Sequence, residues 1–367
     1  DAGITKNPKL GLSWKPSDSL TIRATYGTAF RAPPLTERST GVKDTFFHTG
    51  IPVTNLTAKY ASLGRNPTGI YILGKANSQL KPETATNFSF GIDWQPEFIN
   101  GLRLSTTYYN IDYKDKIDTP NAFNWLNNES TAVAYSTFIV PITPPANCNP
   151  LDATTYPKEL LDRLPPGVAA YMSTQPFNRS QVCRATVLLD GRSQNTGRQQ
   201  QSGVDLSGSY RLTTELGNFN FSGNYTRVLQ LDVLPVLGLP KVANTLGYLG
   251  GQVKNRARLQ GGWNSGPYSV NVSVNYTGKY LDDQRPIIEG KTLDVIKVPA
   301  WTTVGLGFAY TAQDDAPTWA HGIRAALNFQ NIFEKKPPYA PTTSSVYDAS
   351  NANIFGRVTT FQLTKAF

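Results

Sequence analysis

The stretch Tyr268 to Tyr280 alternates without a break between two kinds of residue. Its even positions are Tyr268, Val270, Val272, Val274, Tyr276, Gly278 and Tyr280. Its odd positions are Ser269, Asn271, Ser273, Asn275, Thr277 and Lys279. A period of two belongs to a strand with one apolar and one polar face. This one is longer than most strands of soluble proteins. Aromatics stand near both ends of the apolar face, while the other face is small and amide-rich. A strand with lipid on one side and a wet lumen on the other needs that arrangement.

The pattern recurs along the chain. Leu20, Ile22, Ala24, Tyr26, Thr28 and Phe30 alternate with Thr21, Arg23, Thr25, Gly27 and Ala29. Phe219, Phe221 and Tyr225 alternate with Asn218, Asn220 and Asn224. About eleven strands are expected, at 7–16, 18–31, 83–96, 101–115, 198–213, 218–230, 252–265, 267–281, 297–312, 321–333 and 354–367. Their connections sort strictly into short turns and long loops, the latter at 32–82, 116–197, 231–251, 282–296 and 334–353. Short turns on one side and long loops on the other match the periplasmic and exterior sides of an outer-membrane barrel. Loops of this length are anomalous in a soluble domain. The expected fold class is therefore all-β, a transmembrane antiparallel β-barrel, with residues 1–367 as one portion of it. Parity makes the last strand run inward, and the first as well, so the chain is expected to start mid-barrel.

No apolar run reaches the ~18–20 residues of a transmembrane helix, a test that barrel strands escape. The net charge of +9 comes from Lys and Arg scattered singly. Without a basic cluster interleaved with aromatics, nucleic acid is not an expected partner. Cys148 and Cys183 lack the spacing of a zinc or redox pair and suit an extracytoplasmic loop disulfide better than two free thiols. No nucleophile–base pair or phosphate-binding glycine loop occurs, so neither an enzyme nor a cofactor or resident metal is expected. His321 falls in a short turn and has no expected role.

Several segments together resemble TonB-dependent receptors. Tyr26-Gly27-Thr28-Ala29-Phe30-Arg31-Ala32-Pro33 is similar to the family's FRAP segment, and Leu80-Lys81-Pro82-Glu83 to its Leu-Lys-Pro-Glu strand start. Ser202-Gly203-Val204-Asp205 resembles its Gly-Val/Ile-Asp start, and Asn331-Ile332-Phe333 its Asn-Leu-Phe exit. The resemblance implies energised uptake of a large, scarce solute. Barrels of this class have 22 strands and a plugged lumen, so the chain would be the C-terminal eleven strands. Plug, TonB box and signal peptide would lie upstream. The implied partners are TonB, outer-membrane lipid and lipopolysaccharide, and the barrel-assembly machinery. That machinery would read Phe355, Phe361, Leu363 and Phe367 on one face of the last strand, a face that Lys365 interrupts.

The modal substrate of the resembled family is a ferric siderophore, with carbohydrate or haem as alternatives within the same barrel type. A passive porin and a structural surface barrel are the rivals outside it. His48 lies where haem receptors carry a ligand histidine, and imidazole can bind haem iron. However, Asn77-Ser78-Gln79-Leu80 stands where the haem pattern reads Asn-Pro-Asn-Leu. Aromatic and cationic loop residues complete the candidate substrate contacts: Arg31, Tyr60, Tyr71, Trp125, Tyr171, Arg179 and Arg184. The 116–197 loop, holding both cysteines, is expected to form a stapled lid.

Overall fold

A computed structural model describes residues 5–38, 45–52, 60, 68–74, 77, 79–119, 129–164, 167–175, 181–236, 245–282, 287–288, 291–292, 295–313, 316–340 and 346–366. The chain begins with β1 (Lys9–Ser17), β2 (Leu20–Arg31), β3 (Thr45–Pro52), β4 (Thr68–Gly74), β5 (Glu83–Trp94) and β6 (Leu102–Asp118). It continues through β7 (Ile139–Pro141), β8 (Val187–Arg192), β9 (Gln194–Thr214), β10 (Gly217–Leu234), β11 (Asn255–Ser265) and β12 (Tyr268–Thr277). The short strands β13 (Tyr280–Asp282), β14 (Ile287–Ile288), β15 (Lys291–Thr292) and β16 (Ile296–Val298) precede β17 (Trp301–Thr311), β18 (Ile323–Gln330) and β19 (Val358–Lys365).

Eleven of these form one open sheet in the order β1-β2-β5-β6-β9-β10-β11-β12-β17-β18-β19. Every pairing in it is antiparallel. All eleven expected strands are present, with ends shifted by a few residues. The register carries the alternation across the sheet. Val270, Val272 and Val274 of β12 oppose Phe308, Leu306 and Val304 of β17 on one face. Asn271, Ser273 and Asn275 oppose Gly307, Gly305 and Thr303 on the other. Tyr268 and Tyr310 meet at a ring separation of 5.5 Å. The apolar face is uncovered: Leu259, Tyr268, Phe221 and Phe361 are all exposed. In water such a face would be an aggregation surface; against acyl chains it is solvated.

Two expectations about strand ends are corrected. The alternation ends at Thr277, because Gly278 packs against the backbone of Asn255, where a Cβ would meet the carbonyl oxygen at 2.9 Å. Tyr280 therefore leaves the apolar face and is buried with Leu249, Val253, Val298 and Ala340 in a small core beyond the strands. Phe355 likewise does not share a face with Phe361 and Leu363. It precedes β19, and it lines a recess on the polar face. Phe361 and Leu363 lie on the exposed apolar face as expected. Lys365, on their side of the strand, donates from Nζ to the Trp319 carbonyl at 3.0 Å, taking its charge out to the short turn. Phe367 lies outside the described residues.

The two longest loops fold together. β3, β4, β8 and β7 form a second, mixed sheet in that order. Its centre is a parallel pairing of β4 with β8, from Gly69 opposite Val187 to Gly74 opposite Arg192. Both strands are covered on two faces, which explains their continuous apolar runs Ile70-Tyr71-Ile72 and Val187-Leu188-Leu189. Tyr71, Val187 and Leu189 pack with Tyr60, Tyr135, Ile139 and with Val236 of the third long loop. The 116–197 loop carries the short helices α1 (Glu129–Ala134), α2 (Lys158–Leu161) and α3 (Val168–Thr174). Ile70, Ile72 and Leu188 pack on the other face with Leu160 of α2, Val168 and Met172 of α3, and Val182. Each fully buried side chain of this kind contributes roughly 1.5–3 kcal/mol.

Candidate functional site

The features that can meet a solute stand on the long-loop side of the sheet: the two-loop lid, the root that ties it to the wall, and the polar face beneath. Cys148 and Cys183 are joined as a disulfide, with Cα atoms 5.7 Å apart. The bond closes the lid segment that carries α2 and α3. A loop of this length is stabilised by about 3–4 kcal/mol through lost unfolded-state entropy. Among the described residues no cysteine is free.

The lid is rooted by hydrogen bonds between residues far apart in sequence. Glu83, at the start of β5, is buried and accepts from Arg31 of β2, from the Tyr113 hydroxyl of β6, and from the Ile117 amide at 2.6 Å. One carboxylate thus joins three wall strands where both loops depart. Asn77 Nδ2 donates to the Ser193 carbonyl at 2.8 Å, and its Oδ1 closes a turn with the Gln79 amide. Asn195 Nδ2 donates to the carbonyls of Lys81 and Asp115 at 2.9 and 2.8 Å, while its Oδ1 accepts from the Lys81 amide. Asp115 sits at φ 55, beside the bulge that interrupts β6. The side chain of Asn195 holds that backbone in place.

Within the lid, burial pushes the Tyr71 phenol up to about 12, and burial with the charge of Asp118 raises Tyr135. Both phenols stay neutral over the physiological range. Asp190 and Arg192 form an ion pair at 2.7 Å, nearly sealed from solvent. In the core of the third and later loops, burial and then the neighbouring carboxylate of Asp348 raise Tyr280.

The polar face carries ion pairs and hydroxyl ladders: Arg23 with Asp93, Thr25 with Ser89 at 2.6 Å, and Thr226 with Asp205 at 2.7 Å. Gly203 of the Ser202-Gly203-Val204-Asp205 segment has a clear reason to be glycine. A Cβ there would meet the Tyr109 hydroxyl at 2.4 Å. Asn331, in the exit after β18, takes φ 49, and its side chain brackets Lys335 through both main-chain atoms. That left-handed position suits asparagine.

Among the described residues, those expected to touch substrate are not gathered into one site. Arg31 is engaged by Glu83. Tyr60 and Tyr71 are in the lid core, 6% and 1% exposed, so their rings are packing groups in this conformation. Tyr171 on α3 and Arg184 are exposed on the lid. His48 lies in β3, opposite Tyr71, and its side chain is outside the described residues, as are Trp125 and Arg179. Among the described residues no group of three His, Cys, Asp or Glu side chains could hold a metal ion. Two features escaped the sequence reading: the root around Glu83, visible only as a strand-start motif, and a recess around Arg258. Arg258 stands on the polar face between Asn224 and Asn275, and nothing in the sequence singles it out.

Comparison with known proteins gives the arrangement a family. The family described as TonB dependent receptor-like, beta-barrel matches residues 2–332. The chain is 28% identical over 116 residues to the probable TonB-dependent siderophore receptor PirA of Acinetobacter baumannii, covering 32% of this chain and 13% of that protein. It is 30% identical over 125 residues to the heme/hemopexin utilization protein C of Haemophilus influenzae, covering 32% of this chain and 15% of that protein. The crystal structure of PirA superposes with a TM-score of 0.57 at 17% identity, over 98% of this chain and 41% of that one. The ferric enterobactin receptor PfeA of Pseudomonas aeruginosa, solved with enterobactin, gives 0.54 at 18% identity, over 98% and 40%. These structural likenesses speak for the fold, and the chain spans less than half the length of either solved protein. Receptors of this family are not an enzyme class, and their barrels lie in the outer membrane. The chain belongs to the TonB-dependent receptor family, as part of its outer-membrane β-barrel.

Proposed function

We propose that this barrel serves the uptake of iron as a ferric siderophore, driven through TonB. The observation that carries the reading is the stapled two-loop lid on the long-loop side of a receptor-family barrel. A preformed lid over a polar lumen suits a bulky solute that is first captured and then drawn inward. TonB would act through a segment outside this chain. Lipid and lipopolysaccharide would cover the apolar face, and Phe361 and Leu363 would present the closing strand to the barrel-assembly machinery.

Deleting the gene tests the reading through growth on defined iron and carbon sources. Failure under iron limitation, relieved by an iron salt in excess, is the expected result. Failure on a single glycan with iron replete would refute it. Failure with haem as the sole iron source, while siderophore iron still sustains growth, would replace siderophore by haem.

A further inference from the structure

A recess of about 290 Å³ opens on the polar face at the long-loop ends of β11, β12, β17 and β18, between Arg258, Asn275, Trp301, Gln330, Asn353 and Phe355. Among the described residues its lining includes one cation and no carboxylate. Two cations of the first wall strands differ from it. Arg23 and Arg31 are neutralised by Asp93 and Glu83, and the larger recess near the short turns lines Arg103 with Asp93. Arg258 is exposed, and no ion pair among the described residues includes it. Beside it the Trp301 Nε1–H is buried with no acceptor among the described residues. Both unmet groups are donors, so the complement they lack is an oxygen acceptor, and the unpaired guanidinium favours an anionic one. Asn275, Gln330 and Asn353 add neutral amides that can bond hydroxyls. The rings of Trp301 and Phe355 supply flat apolar walls.

We propose that this recess is the wall subsite for an anionic, oxygen-rich ferric chelate, gripped by Arg258. The inference rests on the uptake reading and narrows its substrate class. Neutral hydroxamate chelates and uncharged glycans lack the acceptor charge that the recess is built to meet. Hydroxycarboxylate and catecholate chelates both present it.

The test uses the receptor purified from outer membranes and calorimetric titration with three probes. They are ferric citrate, the ferric tris-complex of 2,3-dihydroxybenzoate, and a neutral ferric trihydroxamate. The wild-type receptor is expected to bind one of the two anionic chelates, and which one identifies the source of the anionic oxygen. Arg258→Gln should weaken that binding roughly 10–100-fold, the size of a lost charged hydrogen bond. Arg258→Lys should recover part of the loss. Trp301→Phe keeps an aromatic wall but removes the indole N–H together with the pyrrole ring, and should weaken binding by about ten-fold. Unchanged heat-modifiable gel mobility would show that each variant still forms its barrel. Wild-type affinity in Arg258→Gln for the chelate that the receptor binds overturns the subsite and leaves the uptake reading standing. Binding of the neutral trihydroxamate alone overturns the anionic class but not iron uptake. Binding of none of the three overturns the subsite, and growth indifferent to iron would remove the uptake reading as well.

Discussion

At the scale of single residues, the fold depends on a few polar atoms at the lid root. Glu83 is 1% exposed and serves three partners on the two neighbouring strands, β2 and β6. Replacing it with Ala leaves the Ile117 amide and the Tyr113 hydroxyl without their acceptor. Arg31 is half-exposed and can turn to water, so the loss is less than for a sealed ion pair. The expected cost is about 1–3 kcal/mol, falling on the lid root. Glu83→Gln retains an acceptor for one donor and should lose less. Hydrogen exchange at 115–119 and 193–195 reads the effect, which is expected to be faster exchange there and unchanged exchange in β10 to β12. Uniform loosening of the whole sheet would contradict the assignment. Residues of this kind are hard to read from sequence. Arg31 and Glu83 stood in recognisable motifs, but their meeting depends on the β2–β5 register, which pairs those two positions.

At the scale of elements, the sheet and the disulfide that staples the lid were legible, and the fold of the lid was not. A barrel strand announces itself because lipid and lumen impose opposite chemistry at alternate positions, and the register transmits that pattern to both neighbours. Gly278 and Phe355 mark its limit. The alternation of letters continues past both strand ends, whereas the backbone turns away at Gly278 and has not yet joined β19 at Phe355. In the lid, Ile70-Tyr71-Ile72 and Val187-Leu188-Leu189 are apolar runs too short to distinguish strand from buried coil. Their parallel pairing also joins segments from different loops, which no local signal encodes. Leu188, fully buried at the centre of this pairing, gives the test. Leu188→Ala should cost the lid about 2–5 kcal/mol. Limited proteolysis should then cut in both loops together, while the heat-modifiable mobility of the barrel stays as in the wild type. Cleavage confined to the 116–197 loop would show that the two loops fold separately.

At the scale of the whole molecule, one ordering holds the parts together. The apolar face meets lipid, the polar face lines the lumen, and we propose that the lid lies outside with the short turns in the periplasm. The functional reading depends on this ordering, because a lid on the wrong side could capture nothing from the medium. Cysteine labelling in intact cells, with a maleimide too large for porins, tests it directly. Tyr171→Cys on the lid should label in intact cells, since Tyr171 is exposed on α3. Trp319→Cys, exposed in a short turn, should label only after the outer membrane is permeabilised. Leu259→Cys on the apolar face should stay unlabelled until the lipid is removed by detergent. Labelling of Trp319→Cys in intact cells, or of Leu259→Cys while the membrane is in place, would contradict the account.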